Sequence, residues 1–260
     1  MKRLSIINTI ALAMLSFCIA SCSKDISNPT GNSNGNTGKS GSYARFSIVG
    51  NYLYSVSSNN VIVYDISDPA NIKEKNTVPI NGSGFDRNVE TVFYYNGHLL
   101  FGTQFGMIVY SLANPESPQY VSGFSHIIGC DPVVAENDFA YVTINGATGC
   151  RGSINELHIL DISNIDMPNL VKTVHMTSPR GLGIDNNILF VCDGDKLLVM
   201  KVNDPNPANP KQINSINVSG PYDVIPFNNN IILSAQDGIF QYDYSDPTNL
   251  TLNSKISVSK

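Results

Sequence analysis

The chain has 260 residues, a length typical of one or two domains. Only 14% of its residues are charged and 42% are hydrophobic, while 31 Asn, 20 Gly and 14 Pro predict frequent turns. The 16 basic and 21 acidic residues give a net charge of −5 without any basic run, which argues against nucleic-acid binding because phosphate recognition needs clustered Lys and Arg. Composition also excludes a long coiled coil, collagen and a multi-span membrane protein, and favours a compact, β-rich, secreted domain.

The N-terminus has the pattern of a signal peptide over residues 1–21. Lys2 and Arg3 precede an apolar stretch from Ile6 to Ile19, which is short for a membrane span. The run Ile19-Ala20-Ser21-Cys22 resembles a bacterial lipobox, in which the Cys sulfur takes a diacylglycerol and becomes the mature N-terminus. The resemblance predicts a lipoprotein anchored through Cys22; the alternative is an ordinary secretory leader with an incidental Cys.

A polar segment over residues 22–42 follows the leader. It is rich in Asn, Gly and Ser and has almost no apolar side chain to bury, so we expect a flexible tether that holds the domain away from a membrane. Gly38-Lys39-Ser40 ends like a phosphate-binding loop, but Ser33 stands where the first Gly is needed and no strand precedes it. A nucleotide site is therefore not expected.

The remaining chain, 43–260, contains five copies of one pattern. Each copy is an apolar run followed by a turn with Pro, such as Ile-Val-Tyr-Asp-Ile-Ser-Asp-Pro-Ala-Asn ending at Asn71. The equivalent positions Asp65, Ser111, Asp161, Lys201 and Asp243 are 46, 50, 40 and 42 residues apart. A period in the forties with four strand-like runs per unit predicts an all-β, five-bladed β-propeller of four-stranded antiparallel blades.

The strands can be placed within each unit. In the first unit they are predicted at about 45–49, 52–56, 61–66 and 73–80, and the last strand of the fifth unit at 253–259. Each blade would then be built from contiguous sequence, with no strand exchanged between the termini. The ring would close by packing blade five on blade one, so we expect Phe46 and Ile239 to be buried at that seam.

The Asp-Ile-Ser-Asp-Pro type of run resembles the LVIVD repeat of bacterial envelope and secreted proteins, a family taken to form β-propellers. The resemblance covers essentially all of 43–260, although Ser111 and Lys201 depart from the expected Asp. It implies a fold and a compartment but no reaction, and a lipid-anchored, Asn-rich protein of this kind resembles those of the Bacteroidetes. The Asp repeated in the units is interpreted as structural, because Asp, Ser and Asn side chains accept bonds from turn N–H groups.

A candidate site is sought where the units differ. Aligning them through Leu53, Leu99, Phe139, Ile188 and Ile231 places a polar column eight residues upstream, near the start of each innermost strand. This ring consists of Arg45, Thr91, Asp131, Arg180 and Asp223. Such a ring would surround the central channel and bind a ligand; alternatively, its charges pair with each other as a structural network.

The third unit has a long connection between its second and third strands, 145–155, on the same face as the ring. Cys130 and Cys150 lie on this face, and a disulfide between them suits an oxidising envelope. Cys192 would be left single or would compete for Cys150. A metal site is not expected, because His98, His126, His158 and His175 lack ligand spacing and no Cys-x-x-Cys pair occurs.

Two functions remain. The first is a non-enzymatic, cofactor-free binding or scaffolding propeller at the outer membrane or cell surface, with an unknown envelope protein, peptide or glycan as partner. No Gly-x-Ser-x-Gly elbow or nucleophile beside a His supports catalysis. The alternative is a glycoside hydrolase-like enzyme in which Asp131, Asp223 and Glu90 meet in the channel, one protonated and another ionised. Arg45 and Arg180 would oppose it by holding both Asp side chains ionised.

The lipid anchor is testable in cells. We expect Cys22→Ser to move the protein from the membrane to the soluble envelope fraction, because the sulfur that accepts the lipid is lost. Fractionation with metabolic fatty-acid labelling measures this. A soluble envelope protein without fatty-acid label, both before and after Cys22→Ser, would indicate an ordinary leader, and Cys18→Ser is the matched control.

Overall fold

The computed structural model describes residues 41–57, 59–80, 89–125, 132–146, 154–202 and 208–258. These residues form twenty strands in five antiparallel sheets of four strands each, and the sheets are the blades of a five-bladed β-propeller. The described ranges contain no helix, and hence none that could cross a membrane. The predicted fold class is confirmed.

Strand order within every blade follows the chain. The strands of blades one and two are β1 (Phe46–Val49), β2 (Tyr52–Ser57), β3 (Asn60–Asp65), β4 (Lys73–Pro79), β5 (Val89–Tyr95), β6 (His98–Thr103), β7 (Gly106–Ser111) and β8 (Gln119–Ser125). Those of blade three are β9 (Val133–Glu136), β10 (Phe139–Asn145), β11 (Asn155–Asp161) and β12 (Asn169–His175). Those of blades four and five are β13 (Pro179–Asp185), β14 (Ile188–Asp193), β15 (Lys196–Lys201), β16 (Lys211–Asn217), β17 (Pro221–Phe227), β18 (Asn230–Ala235), β19 (Gly238–Asp243) and β20 (Thr251–Ser257).

The core lies between the blades. The two middle strands of blades two, three and four are apolar at successive positions because both faces of these sheets are covered by neighbouring blades. Hydrophobic clusters fill the interfaces one–two, two–three, three–four and four–five. The outermost strands are mostly exposed, as β20 is along its whole length.

The turns explain why Asn is so frequent. The hairpin between the first two strands of blades two, three, four and five has two consecutive residues with positive φ: Asn96-Gly97, Asn137-Asp138, Asn186-Asn187 and Asn228-Asn229. Two left-handed residues are what a tight primed turn between twisted strands requires, and Asn and Gly adopt that conformation at low cost. In all five blades a carbonyl of this turn accepts a bond from the residue that follows the third strand, as from Leu112 to Gly97.

The repeated Asp has the structural role expected for it. Oδ1 of Asp65, Asp161 and Asp243 accepts a bond from the N–H two residues later, at 2.7–2.9 Å, and Ser111 uses its hydroxyl in the same way. These bonds lower the pKa of the three carboxyl groups, and they fix the start of the turn between the third and fourth strands.

Each blade is contiguous, as predicted. β1 pairs only with β2, and β20 pairs with β19, so no strand is exchanged across the termini. The expected burial at the seam is wrong: Phe46 is 52% exposed and Ile239 is 44% exposed. Blade five instead approaches blade four closely. The evidence is at Gly183, where an added Cβ would stand only 2.7 Å from the carbonyl oxygen of Val224.

The close approach of strands around Gly238 gives a stability prediction. Its φ is +138°, and a Cβ there would stand 2.0 Å from the carbonyl oxygen of Ile256. We expect Gly238→Ala to lower the free energy of unfolding by roughly 3 kcal/mol or more, since strain and a backbone clash add. Gly50→Ala is the control: φ is +58° with open space, so a loss of about 1 kcal/mol is expected. Urea unfolding measures both losses, and equal losses in the two variants would mean that the backbone contact at Gly238 costs nothing.

Candidate functional site

The innermost strands of three blades begin with a β-bulge at the same point. The register skips one residue between Val89 and Thr91 in β5, between Pro221 and Asp223 in β17, and in the corresponding step of β13. The residues that stand at the bulge are Glu90, Arg180 and Tyr222. Bulges redirect side chains and are frequent beside functional sites. All three lie where the first strands enter the sheets, at one mouth of the central channel.

The register corrects the alignment of the predicted ring. Thr91 lies opposite Gly102, and Asp223 lies opposite Ser234. In blade one the residue equivalent to Gly102 and Ser234 is Val56, whose N–H donates to the carbonyl of Arg45. Arg45, Thr91 and Asp223 therefore share one position. In β13, however, Leu182 lies opposite Val191, so Gly181 is the equivalent residue and Arg180 falls one position earlier, with Glu90 and Tyr222. The register of β9 likewise puts Pro132 in line with Thr91. The four described residues of the ring, Arg45, Thr91, Arg180 and Asp223, therefore belong to two neighbouring positions of the blade.

The other residues predicted for this face have diverse surroundings. Arg45 is exposed, whereas Thr91 is 1% exposed and its hydroxyl has no hydrogen-bond partner within the described part of the chain. Asp131, Cys130, Cys150 and Cys22 lie outside the described residues, as does the long connection of the third unit from 147 to 153. Cys192 is fully buried as a free thiol, and burial raises its pKa.

Asp223 anchors the chain segment that precedes β1. Its Oδ1 accepts bonds from the N–H and hydroxyl of Ser42 at 3.2 and 2.9 Å, and its Oδ2 accepts one from the N–H of Tyr43 at 3.4 Å. Ser42 is buried, and its Oγ also accepts a bond from the N–H of Leu182 in blade four. The tether was predicted to extend to residue 42, but the chain already makes these contacts at Ser42.

Two glycines make room for that carboxylate. A Cβ at Gly41 would stand 1.9 Å from Oδ2 of Asp223, and one at Gly181 would stand 2.5 Å from Oδ1. The segment continues to blade two, where the carbonyl of Ala44 accepts a bond from the N–H of Val92. Residues 41–44 thus join the inner strands of blades two, four and five.

Arg180 stacks on an aromatic ring at the mouth. Its Cζ lies 4.9 Å from the centroid of Tyr222, which is 51% exposed. Nε and Nη1 of Arg180 are buried and have no hydrogen-bond partner within the ranges given above. Arg180 forms no ion pair with Asp223 there, so the expected stabilisation of the ionised carboxylate by Arg180 is not seen among the described residues, and burial raises the pKa of Asp223.

Tyr43 and Glu90 complete the group. The phenol of Tyr43 interacts electrostatically with Asp223, Arg180 and Glu90. Burial of the phenol, together with the negative charge of Asp223, raises its pKa. Oε1 of Glu90 accepts a bond from the amide of Gln104 at 3.3 Å, while burial raises the pKa of Glu90. We call Tyr43, Glu90, Arg180 and Tyr222 the mouth cluster. It offers a cation with two donors that have no partner within the described residues, two phenols, and a carboxyl group whose pKa is raised by burial.

No set of three metal-ligating side chains occurs among residues 41–258 apart from the gaps already stated. Glu156 binds His158 at 2.8 Å and approaches His175 at 3.5 Å. These contacts pair a carboxylate with two imidazoles, and they do not form a metal site. His126 is outside the described residues.

Sequence reasoning missed Ser42, Tyr43 and Tyr222. The alignment used Ile188 as the anchor of blade four, whereas Leu189 is the residue equivalent to Leu99 and Ile231, so Arg180 was placed on the ring instead of Gly181. The signal that could have found them is the pair Gly181 and Gly183 in an otherwise apolar strand, since isolated glycines in strands mark bulges and close backbone approach.

Comparison with solved structures shows the fold. A protein from Lactobacillus plantarum is similar with a TM-score of 0.62 and 11% identity over 79% of this chain and 65% of its own. The periplasmic gluconolactonase PpgL of Pseudomonas aeruginosa gives 0.60 and 14% over 80% and 68%, and BamB from Moraxella catarrhalis gives 0.50 and 9% over 81% and 62%. The chain thus spans about two-thirds of the length of these three proteins, of which the gluconolactonase and BamB are β-propellers. No family model and no curated protein sequence matches it.

The buried Asp223 gives a pH prediction. Its pKa is raised on folding, so the native state holds a proton that the unfolded chain releases, and the stability associated with it is present at low pH and lost as pH rises. We expect the unfolding free energy of the native protein, relative to Asp223→Asn, to fall as pH rises from about 4 towards neutrality. Denaturant unfolding of both proteins at each pH measures this. A difference that grows with pH would mean that the bonds from Ser42 dominate over burial.

Proposed function

We propose that this protein is a non-catalytic binding propeller of the cell envelope that captures an anionic ligand at the mouth cluster. The observation that carries the proposal is the guanidinium of Arg180, which stacks on Tyr222 with Nε and Nη1 buried and, within the described residues, unbonded. Buried donors are normally satisfied, so two unused donors on one side chain favour an acceptor that arrives with a ligand.

The surroundings indicate what kind of ligand fits. Tyr222 is half exposed, so its phenol ring is accessible beside the cation, whereas the phenol of Tyr43 is buried. Aromatic faces with a charged side chain and the amide of Gln104 suit a polar ring that bears a carboxylate, such as a uronic acid of a glycan or the end of a peptide.

The envelope location is part of the proposal. It is supported by the leader pattern of residues 1–21, the lipobox-like run before Cys22 and the resemblance of the repeats to LVIVD proteins of the Bacteroidetes. A lipid anchor on a polar tether would display the propeller at the outer membrane or cell surface. The anionic ligand would then come from an envelope protein, a peptide or a glycan.

A non-catalytic role fits the state of the carboxyl groups. Three donors of the segment before β1 occupy Asp223, so it serves as an anchor. Glu90 has the raised pKa of a general acid, which is the one feature that favours the glycoside hydrolase alternative. Loss of a measurable glycosidase activity in Glu90→Gln, with binding retained, would support that alternative.

The binding role can be tested with a matched pair of sugars. We expect galacturonate to bind and galactose, which lacks the carboxylate, not to bind in calorimetric titrations. Arg180→Ala should lower the affinity for galacturonate by about tenfold or more, since a charge-assisted contact is lost. Its thermal midpoint should change little, because Nε and Nη1 have no bonds within the described residues to lose.

Lys172→Ala is the control for net charge, since Lys172 is an exposed residue of an outermost strand. Equal binding of both sugars, or galacturonate affinity that survives Arg180→Ala, would contradict the proposal. A large fall in thermal midpoint in Arg180→Ala would mean that the ring of charges is a structural network.

A further inference from the structure

The opposite mouth of the propeller carries a polar contact between neighbouring blades. At three interfaces the last residue of the first strand reaches into the next blade. The phenol of Tyr95 bonds Asp138, Glu136 accepts bonds from the N–H groups of Asn186 and Asn187, and Asp185 accepts a bond of 2.5 Å from the phenol of Tyr244. We call these contacts latches, because each ties the end of one blade to the turns of the next.

The interface between blades one and two has no latch of this kind among the described residues. The equivalent residue there is Val49, which pairs with Tyr52 at the end of β1 just as Tyr95 pairs with His98 at the end of β5. A valine side chain can neither donate nor accept a hydrogen bond. The equivalent residue of blade five, Phe227, has no polar group either, so latches are seen at three of the five interfaces within the described residues, and the fold does not require one.

A cavity occupies the space that a latch would fill. Its volume is about 290 Å³, and its walls come from both blades: Val49, Tyr52, Tyr54, Tyr94, Leu112 and Pro115. Tyr54 is fully buried and forms the floor, and the rings of Tyr52 and Tyr54 are tilted by 40° with centroids 6.5 Å apart. The lining is mainly apolar, and three tyrosine rings surround it.

The polar groups at the edge of the cavity are already used. The phenol of Tyr54 donates to the carbonyl of Pro115 at 3.0 Å, and that of Tyr52 donates to Glu116 at 3.1 Å. Glu116 in turn forms an ion pair with Lys75 at 2.9 Å. The cavity therefore presents neither a net charge nor an unused proton on these two phenols, which disfavours an ionic ligand and a sugar with many hydroxyl groups.

We infer that this cavity is a second ligand site, which takes a neutral aromatic ring system of the size of a fused bicycle. Apolar cavities of about 150 Å³ bind benzene, so roughly twice that volume suits two fused rings. Tyrosine walls contribute edge-to-face and offset contacts to such a ring. The site lies between two sheets on the opposite mouth from Arg180, so it is independent of the anionic ligand proposed above.

Indole is a suitable probe because the chain has no Trp. The purified full chain is titrated into indole, and the change in indole emission, excited beyond most tyrosine absorption, reports binding. Val49→Tyr restores the residue type found at the equivalent position of blade two and fills the cavity. We expect saturable binding to the native protein and a loss of affinity of about tenfold or more in Val49→Tyr.

Two further proteins make the result decisive. Leu112→Phe fills the cavity from the blade-two side and should have the same effect if Val49→Tyr fails to fold. Tyr95→Phe breaks a latch at another interface and should leave indole binding unchanged. The inference would be overturned if the native protein showed no saturable binding of indole. It would also be overturned if Val49→Tyr and Leu112→Phe both bound indole as tightly as the native protein does.

Discussion

Every blade of this propeller depends on its neighbours to cover its apolar faces. A single four-stranded sheet with two apolar faces has no stable existence in water, and burial of about 25 cal/mol per Å² drives each sheet against the next. The middle strands must therefore remain apolar in most units, as they do in β6, β7, β10 and β14. Only the ends of the strands and the connections are free to vary, and there the differences between blades are found.

Bulges show the contrast between what the fold requires and what it permits. In the outermost strand of every blade the register shifts at one equivalent step, as between Val63 and Tyr64 or between Gln241 and Tyr242. A bulge repeated five times adjusts the twist of the sheet and is architectural. The bulges at Glu90, Arg180 and Tyr222 carry three chemically different side chains at one position, which is what a binding surface needs and a repeating framework does not.

The repeats made the architecture predictable. Each apolar run and each Asn-rich turn gives a local signal that recurs five times, so the number of blades, the strand order and the structural role of Asp65 and Asp243 could be read from the chain. The site was only partly accessible, because it depends on register and on contacts between distant residues. No spacing predicts that Ser42 binds Asp223, 181 residues away. The exposure of Phe46 and Ile239 was missed because a period says nothing about how tightly two particular blades approach.

The buried thiol of Cys192 has a practical consequence for redox chemistry. It lies in β14 within the cluster that joins blades four and five, where it is 0% exposed and its pKa is raised by burial. The thiolate is the reactive form of a cysteine. The Cys192 thiol is therefore protected from oxidants and from exchange with disulfides as long as the two blades remain packed. Its rate of modification by a thiol reagent therefore reports how often that interface opens, and gives the propeller a native sensor of its own local unfolding.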